Sequence, residues 1–279
     1  MEDIKNEDQY NIALPPFLLG IDLEDNERNY GIKGKTRFKY ASELLLDFLD
    51  EHNIKTTFFI LGESARENKN IIRRIISSNH EIGCHTNDHT PLDRLNPKSL
   101  YKNLKKNKEI LFDLGAKDIY GFRAPTFSLT KKSKWVYEIL YELGFKYSSS
   151  IMPSKFGVQY GWKDFGYHPR KVYGLWELPI SIHKIGFIDI PLGGFYLRLL
   201  PIFLLRLLNR SEALTSYIHP YDFDYLAPLK RLKSNYILNY LLYYGRKSTL
   251  SKIKLLSKKH SYMKYIDYIE VLENKKLSI

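Results

Sequence analysis

The sequence predicts an α/β protein whose parallel sheet is either open or closed into a barrel. Short apolar runs typical of strands alternate with stretches of helical periodicity over most of the 279 residues, and this is the order of repeated β-α units. Polar clusters directly follow several of the apolar runs, at the point where each predicted strand ends. Because the carboxyl ends of parallel strands meet on one face, such clusters indicate an active site.

Each predicted element rests on a local pattern. Strands are assigned to short runs of apolar, β-branched and aromatic residues, several of which end at a glycine or an acidic residue. They are 17–25, 55–62, 80–85, 119–125, 146–151, 174–181 and 213–223. Helices are assigned where apolar residues recur at helical spacing, and Gly115 ends the third of them. They are 40–52, 68–79, 97–115, 131–145 and 196–210. About seven strands result, fewer than the eight of a full (β/α)₈ barrel.

Composition bounds the class of protein and its compartment. A chain of 279 residues with 44% hydrophobic content is long enough for one large domain or a domain with an appendage. The single cysteine, Cys84, excludes an internal disulfide and favours a reducing compartment, and its position on a strand predicts a side chain in the core. Residues 1–16 do not resemble a signal peptide, and no run of about 18 apolar residues occurs, so we expect a cytoplasmic location.

Charge is unevenly distributed along the chain. The net charge is +12, and much of the excess follows residue 228. We therefore divide the chain into an N-terminal extension (1–16), a main domain (17–228) and a basic, helical C-terminal appendage (229–279). A basic surface attracts nucleic acid, anionic lipid or phosphorylated substrates, although a solvated basic face is an equal alternative. No zinc-finger spacing and no glycine-rich phosphate loop occurs, so no nucleic-acid partner is expected.

A candidate metal site begins with His85 and His89, which stand four residues apart after a predicted strand. Two neutral imidazoles and one carboxylate form a three-ligand site open to water, suited to zinc or a similar divalent ion. Three acids, Asp22, Glu24 and Asp25, end the first predicted strand and offer such a carboxylate. The alternatives are histidines of the core or surface and aspartates that cap a helix.

Arg123 and His219 add two further candidates at strand ends. A guanidinium at position 123 can hold a carboxylate ionised through a paired contact, or it can form an ordinary structural ion pair. A histidine at the mouth of a metal pocket can act as a general acid, although a lone histidine is more often structural. Aromatic side chains can stack on the apolar faces of a sugar or fill the core, and the candidates are Phe127, Tyr147, Trp176 and Tyr221.

In this order, the motifs resemble those of the polysaccharide deacetylases of the NodB-homology class (carbohydrate esterase family 4). The matching segments are GIDLED (20–25), TTFFILG (56–62), HTNDH (85–89), RAP (123–125), KYSSSIMPS (146–154) and YIHP (217–220). The resemblance extends from about residue 17 to residue 224. It is closer to a subgroup with Asp-x-Glu-Asp in the first motif and His-Pro-aromatic-acid in the last. GGFYLRLLP (193–201) also looks like the C-terminal part of that subgroup.

The resemblance implies a distorted (β/α)7-type barrel and a divalent-metal amide hydrolase. His85 and His89 would bind the metal, most simply Zn2+, with Co2+, Ni2+ and Fe2+ also compatible. Asp25 is the preferred third ligand, but two residues are inserted relative to the family's Asp-Asp, so Glu24 stays an alternative. The remaining implied roles are Asp22 as base, Arg123 as its orienting residue, His219 as acid, and Pro125, Tyr147, Ser148, Trp176 and Tyr221 as substrate-binding residues.

The implied reaction is removal of an N-acetyl group from an amino sugar during synthesis of a bacterial surface polysaccharide. The alternatives are hydrolysis of another amide, such as a formamide or a cyclic ureide, and a catalytically silent barrel that binds sugar. The predicted helix 196–210 carries Arg198, Arg206 and Arg210 beside a broad apolar stripe. Such a helix either docks at an anionic membrane or packs on the barrel. Oligomeric state cannot be predicted from these patterns.

Overall fold

The computed structural model describes residues 14–25, 36–154, 159–186, 188–206, 213–228, 240 and 242–277. Within them, a curled half-barrel sheet is flanked by helices. The strands are β1 (Pro16–Leu23), β2 (Thr57–Ile60), β3 (Glu81–Cys84), β4 (Gly121–Phe122), β5 (Tyr147–Ser148), β6 (Arg170–Val172), β7 (Leu175–Glu177), β8 (Ile182–Ile185), β9 (Ile188–Pro191), β10 (Leu214–Ile218) and β11 (Ser261–Tyr262). The helices are α1 (Phe38–Glu51), α2 (Gly62–Glu67), α3 (Lys69–Ser77), α4 (Pro97–Asp113), α5 (Val136–Glu142), α6 (Gly194–Leu199), α7 (Ile202–Arg206), α8 (Thr249–Ser257) and α9 (Tyr265–Leu277).

Seven parallel strands form the main path of the sheet, in the order β10-β1-β2-β3-β4-β5-β7. β6 adds an antiparallel edge beside β7, and β8 pairs with β9 in a separate hairpin. The α/β class and the seven-stranded barrel type are therefore confirmed. All seven carboxyl ends point the same way, so the residues that follow them are brought to one rim of the half-barrel.

Successive side chains of β1 point alternately toward the hydrophobic core and toward the inner face of the sheet. Phe17, Leu19, Ile21 and Leu23 belong to the large hydrophobic cluster beneath the helices, whereas Leu18 packs in a second cluster on the other side. Successive residues of a strand face opposite sides, so Asp22 shares the inner face with Leu18. The same alternation on β3 buries Cys84 in the large cluster, as predicted, and leaves His85 for the inner face.

The C-terminal segment contributes one strand to the sheet. β11 pairs in parallel with the start of β1, and the side chain of Tyr265 is fully buried. A two-residue strand carries no periodicity, which is why the sequence pattern missed it. Residues 229–239 lie outside the described part of the chain.

The predicted helix 196–210 is also different in the structure. It is divided at Pro201 into α6 and α7, because proline lacks the N–H that a continuous helix would need there. Arg198 is buried rather than directed at a membrane, while the side chains of Arg206 and Arg210 lie outside the description. None of the helices in the described ranges has the length and apolar character required to span a bilayer.

Candidate active site

The first acidic segment presents two carboxylates on the inner face of the half-barrel. Asp22 is the penultimate residue of β1, and Glu24 follows two positions later, just past the end of the strand. The N–H of Glu24 donates to the carbonyl of Asp22 at 3.1 Å, which fixes the turn out of the strand. Both side chains are almost fully buried, at 3% and 5% exposure.

Glu24, His85 and His89 form a three-residue group that can hold a metal ion. Their potential ligand atoms all lie within 4.8 Å of one another. Oε2 of Glu24 is 2.5 Å from Nε2 of His89. The structure therefore places Glu24, and not the preferred Asp25, with the two histidines.

The contacts of His85 leave the lone pair of its Nε2 available to a cation. Its Nδ1 lies 2.8 Å from the carbonyl oxygen of Arg123; a carbonyl only accepts, so Nδ1 carries the proton. Nε2 is buried and has no hydrogen-bond partner among the described residues. Burial also lowers the pKa of His85, so the ring stays neutral. A neutral imidazole whose other nitrogen is bonded to the backbone is the usual form of a metal ligand.

The pKa values of Glu24 and His89, the other two residues of the group, are shifted in opposite directions. Burial raises the pKa of Glu24, but His89 and His219 outweigh it and lower that pKa well below its usual value. Burial likewise lowers the pKa of His89, yet the charge and hydrogen bond of Glu24 raise it overall. An ionised carboxylate is thus held between imidazoles, a donor set that fits zinc and similar divalent ions.

Helix α4 shapes the loop that joins His85 to His89. Thr86 and His89 adopt positive φ angles of 66° and 58°, which bend the loop back on itself. The side-chain amide of Asn107 donates to the carbonyl of Thr86, and Oδ1 of Asn103 accepts the N–H of Asn87 at 2.6 Å. We did not predict Asn103 and Asn107. The available signal was a pair of asparagines one helical turn apart, because asparagine is unfavourable inside a helix and two on one face indicate a specific contact.

Arg123 holds Asp22 from a fully buried position. Its Nη1 donates to Oδ1 of Asp22 at 2.8 Å, and Nη2 donates to the hydroxyl oxygens of Ser149 and Tyr265 at 3.0 and 2.7 Å. Nε donates to the carbonyl of Ser149 at 3.0 Å. A Cβ at Gly20 would lie 2.3 Å from Nη1, so only glycine leaves room for this guanidinium. The predicted pairing of Arg123 with Asp22 is present.

His219 closes the site from β10. Its Nε2 lies 3.3 Å from Oε1 of Glu24 and 4.0 Å from Oδ2 of Asp22. On the other side of the ring, Nδ1 lies 3.3 Å from Oδ2 of Asp222. Burial lowers the pKa of His219, but the hydrogen bonds and charges of Asp222 and Glu24 outweigh it and raise the pKa to about 10. The structure therefore brings all four sequence-predicted groups, Asp22, His85, Arg123 and His219, to one rim.

Three of the predicted substrate-binding residues are buried. The hydroxyl of Tyr147 donates to the buried Glu81 at 2.7 Å, and Ser148 donates to the hydroxyl of Ser150 at 2.8 Å. Trp176 is 5% exposed, and its indole N–H lies 2.6 Å from a carboxylate oxygen on α9. All three side chains are buried and hydrogen-bonded within the protein, and their role in substrate binding stays a prediction.

Pro125 and Tyr221 lie closer to the rim. Pro125 is buried two residues after Arg123. Tyr221 is half-buried, and its ring stacks on His219 with centroids 5.1 Å apart. Tyr221 also lines a small cavity of about 20 Å³ together with Glu24, Asp25 and Arg37. Asp25 therefore faces this cavity beside the three-residue group.

Comparison with known proteins agrees with this geometry. The family model for polysaccharide deacetylases matches residues 37–148, and a domain of unknown function, DUF3473, matches residues 149–270. The match over residues 37–148 supports the NodB-homology class of polysaccharide deacetylases for this part of the chain. The polysaccharide deacetylase model covers only part of the site. The acidic motif at the end of β1 precedes the matched residues, and the C-terminal half follows them.

Similar proteins cover the chain to different extents. A peptidoglycan-N-acetylglucosamine deacetylase of Bacillus cereus is 43% identical over 67 residues, which is 24% of this chain and 24% of that protein. A polysaccharide deacetylase structure from Mycobacterium smegmatis has a TM-score of 0.66 and 19% identity, covering 95% of this chain and 92% of that one. A CE4-family pseudoenzyme from Bacillus anthracis has a TM-score of 0.53 and 14% identity, covering 91% and 65%. The last example shows that this fold alone does not establish catalysis.

Proposed function

We propose that the protein is a divalent-metal hydrolase that removes the N-acetyl group from an acetylated amino sugar. The observation that carries the proposal is the group Glu24, His85 and His89, in which the buried Nε2 of His85 has no hydrogen-bond partner among the described residues. Zn2+ fits this donor set best, and Co2+, Ni2+ and Fe2+ are compatible with it. The named activity of the Bacillus cereus relative supports an acetylated amino sugar as substrate.

A divalent ion held by these three residues supplies Lewis acidity, which polarises the amide carbonyl and lowers the pKa of a water. Asp22 accepts the proton that the attacking water loses, and Arg123 keeps this carboxylate ionised and aimed. His219 donates the proton from Nε2 to the nitrogen of the departing amine as the C–N bond breaks. Since Nε2 of His219 and Oδ2 of Asp22 are 4.0 Å apart, the base and the acid are close enough to act on the same reacting group.

The proposed setting is bacterial surface-polysaccharide synthesis, with a glycan, a lipid-linked sugar or a nucleotide-linked sugar as the substrate. We also propose that the protein acts in the cytoplasm, at the inner face of the membrane. Exposed apolar side chains on α6 and α7, Leu199, Ile202 and Phe203, support contact with a lipid surface. Flotation with anionic liposomes tests this: the protein rises with the vesicles if the contact exists, and stays in the dense fraction if it does not.

Metal content and acetate release, measured together, test the proposed reaction. We expect one metal ion per chain in the wild type, loss of that metal in a His85→Ala, His89→Ala double variant, and acetate release only from the wild type. Substrates are N-acetylated glucosamine oligomers and nucleotide-linked N-acetyl sugars. Metal binding without acetate release would indicate that the substrate is another amide, such as a formamide. Absence of metal after reconstitution would favour a silent barrel that binds sugar.

A further inference from the structure

The segment GGFYLRLLP (193–201) lies against the strand that carries His219. Gly193 forms a bridge with Tyr217 of β10, and a Cβ at this glycine would lie 2.3 Å from the Tyr217 ring. Gly194 has a φ of +47°, and its Cβ would also contact that ring at 2.8 Å. The two glycines therefore let α6 begin directly beside β10, closer than any side chain would permit.

This close approach brings Arg198 to the carboxylate that contacts His219. Nε of Arg198 lies 2.9 Å from Oδ1 of Asp222, and both side chains are completely buried. The other oxygen of Asp222, Oδ2, accepts the backbone N–H of His219 at 2.8 Å and lies 3.3 Å from its Nδ1. A continuous chain of contacts thus runs from Arg198 through Asp222 to the imidazole.

The rest of Arg198 is fixed by the C-terminal half of the protein. Its Nη1 donates to the carbonyls of Leu242 and Tyr244 at 3.0 and 2.8 Å. The ammonium of Lys252 donates to the carbonyl of Arg198 itself at 2.6 Å. A buried carboxylate without a cation is costly, so Arg198 keeps Asp222 ionised where it contacts Nδ1 of His219.

We infer that Arg198 is a positioning residue for proton donation by His219, acting through Asp222; this rests on the proposed deacetylation. Asp222 holds the Nδ1–H side of the ring, so that Nε2–H faces the cleft. When the C–N bond breaks, its electron pair stays on nitrogen, which takes the Nε2 proton. Loss of Arg198 removes the buried cation at Oδ1 of Asp222, so the carboxylate is less firmly fixed and the ring is no longer held in this orientation.

The test compares two leaving groups in the zinc-loaded, full-length protein. The amine of an N-acetylglucosamine oligomer needs a proton to depart, whereas the 4-nitrophenolate of 4-nitrophenyl acetate does not. We expect Arg198→Met to lower kcat for the amide by about tenfold or more, because general acids contribute roughly 10²–10⁴-fold, while kcat for the ester and both KM values stay within about twofold. Arg198→Lys, which keeps the charge, should recover part of the amide activity.

A double variant covers the case in which a buried Asp222 that lacks Arg198 prevents folding. Arg198→Met with Asp222→Asn removes both partners of the buried pair, and it should lose no more amide activity than Asp222→Asn alone, because residues that act through one another are not additive. Arg74→Met removes an arginine with three carboxylate partners elsewhere on the surface, Glu43, Asp47 and Asp50, and serves as the control.

Each outcome has one meaning. Parallel loss of amide and ester hydrolysis in Arg198→Met, or additive losses in the double variant, would overturn the inference, since either indicates a general structural role. No loss of amide hydrolysis would overturn it as well. A wild type that binds zinc and cleaves the ester but no acetamide would instead show that the proposed function is wrong, and the inference would fall with it.

Discussion

The Nδ1 of His85 lies 2.8 Å from the carbonyl oxygen of Arg123, while the guanidinium of Arg123 lies 2.8 Å from Asp22. One residue therefore orients the candidate metal ligand through its backbone and the candidate base through its side chain. β3 and β4 are neighbours in the sheet, which makes this double contact possible. Displacement of Arg123 should consequently affect both ends of the site.

The choice between Glu24 and Asp25 can be tested by metal content. We expect Glu24→Gln to lower zinc affinity by about tenfold or more, because an amide oxygen replaces a charged ligand. Asp25→Asn is the matched control: it changes the adjacent carboxylate in the same way and should retain near-stoichiometric zinc. Elemental analysis and a competitive chelator titration measure both. Zinc loss in Asp25→Asn with retention in Glu24→Gln would restore the original preference for Asp25.

Gly20→Ala should damage the site without removing the metal. Its Cβ would lie 2.3 Å from Nη1 of Arg123, so the guanidinium must move away from Asp22. We expect kcat for acetate release to fall by roughly tenfold or more, since a misplaced base loses general-base catalysis, while zinc content is retained.

The control for Gly20→Ala is Gly144→Ala. Gly144 has a φ of +76° with open space around it, so alanine there adds only backbone strain, on the order of 1–3 kcal/mol. Thermal unfolding measures this cost. We expect Gly144→Ala to lower stability with kcat unchanged. Equal kcat for Gly20→Ala and the wild type would show that the contact between Arg123 and Asp22 is not required.

Local patterns predicted those parts of the fold and site that depend on neighbours in sequence. β1, β2 and β3 are apolar runs buried on both faces, and the polar residues after them stand at the rim because the strands are parallel. The features that local patterns did not specify depend on long-range packing. Whether Tyr147 faces solvent or the core is decided by Glu81 on another strand, and no local pattern records that contact.

Contacts between distant segments explain the remaining differences. β11 is only two residues long, and its pairing with β1 joins positions more than 240 residues apart. The sequence left open whether the helix that carries Arg198 docks at a membrane or packs on the barrel, because its partner, Asp222, lies on a separate element. The preference for Asp25 had another cause: it matched the residue type of the family's second aspartate, whereas the structure places Glu24 with the two histidines.

The stability of the fold should depend on His80 in acidic solution. Burial lowers the pKa of His80 to about 4, and its Nδ1 accepts the N–H of Thr56. The unfolded chain, with a histidine pKa near 6.5, binds more protons than the folded protein between these values. The free energy of unfolding should therefore keep its full value above about pH 6.5 and fall by about 3 kcal/mol as the pH drops to 4.

His80→Asn isolates this effect, because an asparagine oxygen can replace Nδ1 as acceptor. Urea unfolding at several pH values should show a weaker dependence between pH 6.5 and 4 in this variant than in the wild type. His52→Asn, at the half-buried end of α1, is the control and should keep the wild-type dependence. An unchanged dependence in His80→Asn would assign the acid sensitivity to other groups.

Tyr147 and Tyr221 should separate stability from substrate binding. Tyr147→Phe removes the hydroxyl that donates to buried Glu81, so the free energy of unfolding should fall by about 1–3 kcal/mol while kcat/KM is unchanged. Tyr221→Leu removes the ring that stacks on His219 and lines the cavity, and it should lower kcat/KM several-fold with a smaller effect on stability. Urea unfolding and acetate release measure the two effects. A loss of kcat/KM in folded Tyr147→Phe would return this tyrosine to the substrate site, because a buried core contact cannot account for it.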